Sequence, residues 1–194
     1  MISVPLHAEP QNGPGPLRLA LNVIGFQLAW FACVIAAARD LSLAGVLFAA
    51  AVISMHFALS ARPHREAALV AGAVAIGIVW DGALGALGWV TYAGATSAWA
   101  PVWILVLWAL FATTLNVSLR WLQARPMVAA LLGAVAGPLS YWGAQQLGAC
   151  RLVQPTAALV ALALGWAVFT PLLAALARRL DNAEAAPRRG GRRG

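Results

Sequence analysis

Few residues in this 194-residue chain could do chemistry, and the most demanding of them is Asp81. It stands inside AALVAGAVAIGIVWDGALGALG, Ala67–Gly88, a run of 22 residues that holds no other charge. A helix of that length, at about 1.5 Å per residue, spans a hydrocarbon core of roughly 30 Å. A carboxylate at that depth is costly unless it is protonated, paired or wetted. Tyr141 and Ser140 lie in a later apolar run at a similar depth and are its candidate partners. A protonated Asp81 that donates to a neighbour and a charged one in a wet cleft are both open. So is a structural Asp that caps a broken helix, since Gly82, Gly85 and Gly88 follow at three-residue spacing.

A second polar layer lies nearer the other ends of the runs. Asn22, His56 and Asn116 fall roughly 4–6 Å in from those ends, and Gln27 and Thr113 roughly 9–12 Å in. Together they could line a cavity, with His56 as a base, a ligand or a hydrogen-bond donor and the amides orienting a head group. Amides and hydroxyls that simply hold helices together are the plainer reading. His7 and His64 lie outside the apolar runs, and no His-x-x-x-His or cysteine pair occurs, so no metal site is expected. No phosphate loop, nucleophile elbow or zincin motif is present, and no cofactor is expected.

The elements that must position these residues are membrane helices. The chain is 62% hydrophobic and 10% charged, where a soluble domain carries about 25% charge. Six apolar runs are predicted as spanning helices, over residues 19–38, 41–60, 67–88, 101–119, 127–148 and 156–177. The expectation is an all-α polytopic membrane protein whose six helices form one bundle over residues 18–179. A disordered leader (1–17) and a disordered arginine-rich tail (180–194) are expected to flank it. Gly137-Pro138 and Thr170-Pro171 interrupt the fifth and sixth runs and would hinge or kink them. The stretch Trp89–Ala100 reads as an interfacial loop, and Cys33 and Cys150, one in a span and one in a loop, as free thiols. Trp30, Trp80, Trp108 and Trp166 fall well inside runs, where an indole N–H wants an acceptor. They suit packing or, more sharply, a hydrophobic ligand pocket.

All 13 basic residues are arginine. With the N-terminus in the cytoplasm, 11 of them lie inside and only Arg39 and Arg151 outside, which is the arrangement the positive-inside rule favours. Both termini are therefore expected in the cytoplasm. The net charge of +7 is read as orientation, not as a nucleic-acid surface. A weak internal repeat joins Leu47-Phe48-Ala49 and Ala61-Arg62-Pro63 to Leu110-Phe111-Ala112 and Ala124-Arg125-Pro126, 63 residues on. Trp80-Asp81-Gly82-Ala83 then answers Tyr141-Trp142-Gly143-Ala144. Chance among small apolar residues is the alternative.

Three segments carry a resemblance. They are Asn22…Gln27…Trp30-Phe31; Trp108-Ala109-Leu110-Phe111-Ala112-Thr113-Thr114-Leu115-Asn116 with Ser118-Leu119-Arg120-Trp121; and Gly137-Pro138-Leu139-Ser140-Tyr141. They resemble a family of small bacterial inner-membrane proteins catalogued only as a domain of unknown function, over roughly Leu19 to Arg179. Members are often encoded beside enzymes that modify membrane fatty acids, and the resemblance implies a lipid connection of that kind. The function expected is a non-enzymatic or accessory membrane protein that binds or moves a lipid-like or small amphipathic molecule. Its partners would be membrane lipids, such a ligand and a further membrane protein. A small transporter, or the substrate-binding subunit of a larger one, is the alternative. An intramembrane lipid-modifying enzyme with His56 as base is the second.

Overall fold

Proline decides where most helices begin, because its missing N–H costs nothing in a first turn. Pro16, Pro63, Pro126 and Pro155 each open a helix, and Pro101 directly precedes another. The computed structural model describes residues 14–96 and 99–182. It holds α1 (Pro16–Ala38), α2 (Ser42–Ala58), α3 (Pro63–Ala86), α4 (Val102–Ala112), α5 (Pro126–Gln146) and α6 (Pro155–Asn182). A 3₁₀ turn, Arg120–Ala124, leads into α5. Two strands, β1 (Val90–Tyr92) and β2 (Cys150–Leu152), pair antiparallel with Thr91 opposite Arg151.

The strands correct the all-α expectation at Trp89–Ala100 and at Cys150. Their cause is the way α3 and α5 end. Gly88 and Gly148 take φ of +67° and +86°, a left-handed turn that suits glycine. The following amides then reach back, Trp89 N to Leu84 O at 3.0 Å and Ala149 N to Ala144 O at 2.9 Å. Each turn throws the chain across the end of the bundle, where the two segments satisfy each other's backbone groups. The Ala-Arg-Pro joins also match: Arg62 and Arg125 precede their prolines with φ/ψ of −140°/61° and −133°/67°. Counted back from the two glycines, the residue seven positions earlier is Asp81 in α3 and Tyr141 in α5. The helix-end register therefore pairs Asp81 with Tyr141, one residue off the alignment read from sequence.

The helix expected over 101–119 ends at Ala112. The Thr113 and Thr114 hydroxyls donate to Leu110 O (2.7 Å) and Phe111 O (2.6 Å), bonds that compete with helix continuation. The chain then proceeds in turns to the 3₁₀ segment. The third helix starts at Pro63, a turn earlier than expected, and α5 and α6 run on through Pro138 and Pro171. The expected leader lies outside the described residues up to position 13, and Pro16 and Leu17 already belong to α1. The expected tail lies outside them from position 183, and α6 extends to Asn182.

Helices α1, α3, α5 and α6 are long and apolar enough to cross a membrane; α2, with 17 residues, and α4, with 11, are shorter. Large apolar side chains face outward, among them Leu43, Leu131, Val135 and Leu164, a surface suited to hydrocarbon. Central α4 packs on α1, α2 and α3, whereas α5 packs chiefly on α6. Small residues set the closest approaches. A Cβ at Gly45 would lie 2.7 Å from Cys33 Cα and 2.9 Å from Ala32 O, backbone that cannot yield, whereas one at Gly82 meets nothing nearer than Trp99 at 3.6 Å. Gly45→Ala is therefore expected to destabilise the fold by about 1–3 kcal/mol. Gly82→Ala should be neutral or slightly stabilising. Thermal unfolding of the two purified variants checks this, and equal effects would contradict the α1–α2 packing.

Candidate functional site

The site is built from four elements near the strand-bearing end. α3 supplies Asp81, fully buried; α4 supplies Trp108, α5 supplies Tyr141 and β1 supplies Tyr92. Tyr92 Oη donates to Asp81 Oδ1 at 2.7 Å, Trp108 Nε1 donates to Oδ2 at 2.6 Å, and Tyr141 Oη donates to Oδ1. Gly77, one turn before Asp81, lets the Trp108 indole lie against α3, since a Cβ there would come within 2.7 Å of three ring atoms. No ion pair to Asp81 is formed among the described residues.

Donor counting favours one charge state. Trp108 is donor-only, and each tyrosine has a single O–H. With all three groups donating, Asp81 acts purely as an acceptor; a tyrosine Oη turned to accept would instead take a hydrogen bond from a protonated Asp81. The pattern suits an ionised carboxylate, which only accepts. Burial, and then the Asp81 charge, holds the Tyr92 phenol well above its ordinary range, so it remains a donor. The same two causes push the Cys150 thiol up to about 12.

Of the candidates read from sequence, Tyr141 meets Asp81. Ser140 does not: its hydroxyl donates to Gly137 O at 2.7 Å, within its own turn. The five residues of the expected inner layer separate. Asn22 is spent on the turn after α4, donating to Thr113 O (3.1 Å) and accepting from Ser118 Oγ (2.6 Å) and Ser118 N (3.3 Å). Asn116 donates to Glu66 Oε2 at 3.1 Å and accepts from Gln123 Nε2 at 2.9 Å. His56 Nε2 lies 3.2 Å from the same Glu66 oxygen, an ion-pair distance without hydrogen-bond alignment. Asn22, His56 and Thr113 border a pocket of ≈20 Å³, room for about one water. Gln27 faces a different space.

That space is a cavity of ≈630 Å³ between α1 and α4 on one side and α5 and α6 on the other. Its wall includes Gln27, Trp30, Trp103, Trp108, Phe111, Tyr141 and Trp166. Trp108 and Trp166 stack at 4.6 Å and 12°, and Phe111 meets Trp166 edge-on at 5.2 Å. Val23 on α1 and Leu132 and Leu139 on α5 line it while remaining exposed, so it opens sideways between those two helices.

Sequence reasoning missed Glu66, Gln123, Tyr92 and the Trp108–Asp81 bond. Pro63 was the available signal for Glu66: a helix started by that proline carries Glu66 into the bundle end instead of a loop. Tyr92 depends on the strand and had no local signal. Among the described residues no group of three or more His, Cys, Asp or Glu side chains is placed to hold a metal ion.

A family model described as a protein of unknown function, DUF2878, matches residues 19–172. The chain belongs to this family. Comparison with curated proteins and with solved structures gave no match. The match covers every residue of the carboxylate centre and all lining residues of the cavity named above.

Two measurements test the centre. Asp81→Ala would leave three buried donors unpaired, at about 1–3 kcal/mol each. Its melting temperature is expected to fall far below that of Ser140→Ala, which loses only a bond within its own turn; similar losses would contradict the assignment. At pH 8 a thiol with a pKa of about 12 is ionised in only about one molecule in ten thousand. Cys150 should therefore resist iodoacetamide in the folded protein and react on denaturation, as peptide mapping would report.

Proposed function

We propose that this is an integral inner-membrane protein that takes an amphipathic, lipid-like molecule sideways from the bilayer into its central cavity. The carrying observation is that cavity: ≈630 Å³, walled largely by apolar and aromatic side chains, and flanked by exposed residues of α1 and α5. Sites for small molecules fall at about 300–1,000 Å³ and are mostly apolar with a few polar groups. From Val23 to Val34 the cavity follows α1 for about 16 Å at 1.5 Å per residue, about half of a bilayer core of roughly 30 Å. A chain from one leaflet fits that length.

In this reading all six helices sit in the bilayer, with α4 completing its passage through the turn after Ala112. Irregular backbone at that depth is tolerated where protein buries it. Here Asn22 and Gln123 accompany the turn, Gln123 Nε2 donating to Leu115 O at 3.0 Å. Arg18, Arg62, Arg65, Arg120, Arg125, Arg178 and Arg179 gather at the helix ends opposite the strands, against Arg39 and Arg151 at the other. The arginine-rich end, with both termini, is the cytoplasmic one. An accessory place beside membrane-lipid modification fits a protein that holds a lipid-like molecule.

The test is mass spectrometry of small molecules co-purified in native nanodiscs. Wild-type protein is expected to carry a defined amphipathic species above the bulk lipid background. Ala136→Trp, which fills the cavity from α5, is expected to lose it at least tenfold with little change in melting temperature. Equal recovery from both proteins would overturn the proposal.

A further inference from the structure

We propose that the group held in the cavity is a lipophilic monocation, a substituted ammonium in chemistry. This rests on the cavity being a ligand site. Aromatic side chains from all four bordering helices line it, Trp30, Trp103, Trp108, Phe111, Tyr141 and Trp166 among them, and aromatic faces attract organic cations, most strongly when desolvated. Trp108 and Tyr141 give their only polar hydrogens to Asp81. Donation to an anion pushes electron density into both rings and makes their faces more negative.

The polar lining is mixed: Trp166 Nε1 and Thr170 Oγ1 are buried on it without a hydrogen-bond partner among the described residues, while the other hydroxyls are left as acceptors. Among the described residues no arginine or histidine lines the cavity. The hydroxyl hydrogens of Thr114, Ser118 and Ser140 are already given to Phe111 O, Asn22 Oδ1 and Gly137 O. What those side chains have left to offer is oxygen lone pairs, which accept from an ammonium and oppose an anion. Asp81, directly behind Trp108 and Tyr141 and an ion in this proposal, has no protein cation paired to it among the described residues. An ammonium that brings a phosphate with it, as a phospholipid head does, would leave that phosphate without a positive partner. A monocation leaves no such charge behind.

The experiment uses three probes of similar shape: tetraphenylphosphonium, neutral triphenylphosphine oxide and anionic tetraphenylborate. Each is titrated by equilibrium dialysis against the full-length protein in phosphatidylcholine nanodiscs, with empty nanodiscs subtracted. Saturable phosphonium binding is expected at least tenfold tighter than oxide binding, with no saturable borate binding. Trp108→Phe, which keeps a ring but loses the bond to Asp81, should weaken the phosphonium alone by fivefold or more. Oxide binding as tight as phosphonium binding, or saturable borate binding, overturns the charge assignment and leaves the cavity as a ligand site. Failure of all three probes overturns the charge assignment too, and falls on the ligand site itself only if Ala136→Trp also retains the co-purified species.

Discussion

One carboxyl group, buried in an apolar bundle and held by three neutral donors, is the constraint that the strand-bearing half of this protein answers. A carboxylate out of water costs several kcal/mol unless hydrogen bonds replace its hydration. Tyr92, Trp108 and Tyr141 supply those bonds from three different elements. To do so, α4 must lie close enough to α3 for an indole to rest on Gly77. α5 must also present Tyr141 at the matching height, and the chain after α3 must return as a strand. The carboxylate thus ties α3, α4, α5 and β1 at one point.

The opposite end solves a related problem differently. There Glu66 is met by Asn116 and His56, Asn116 by Gln123, and the Arg65 guanidinium donates to Asp181 O at 2.9 Å. These contacts join the ends of α2, α4 and α6 to the start of α3 and hold in place a turn that is not helical. Between the two polar ends, glycines on α5 and α6 admit tryptophans from facing helices: Trp166 lies on Gly137, and Trp80 on Gly165. The cavity is the space this arrangement leaves between α1–α4 and α5–α6. Its aromatic wall and its carboxylate backing are one construction, since Trp108 and Tyr141 belong to both.

Much of this was legible in the chain. The apolar runs gave the helices because composition and length decide them, and Asp81 stood out because nothing else in its run is charged. Tyr141 was legible as its partner from depth alone. Tyr92 was not: it lies in a three-residue strand whose existence depends on two distant glycine-ended helices meeting, and no local pattern encodes that pairing. The end of α4 was hidden for a similar reason. Trp108 to Leu119 reads as uniformly helix-compatible, and the competing bonds show only in the fold: the Thr113 and Thr114 hydroxyls turned onto their own backbone, and Asn22 and Gln123 on the turn's carbonyls. Asn22, His56 and Asn116 share a depth, which sequence can give. Sequence cannot give azimuth, and the fold sends them to different neighbours.

The claim on which the account turns is that Asp81 is an ion in the folded protein. Infrared difference spectroscopy of wild type minus Asp81→Asn, in nanodiscs at neutral pH, reads this directly. A carboxylate stretch lost with the substitution, and no protonated-acid carbonyl band, is the predicted result. A protonated carbonyl band from Asp81 would contradict it.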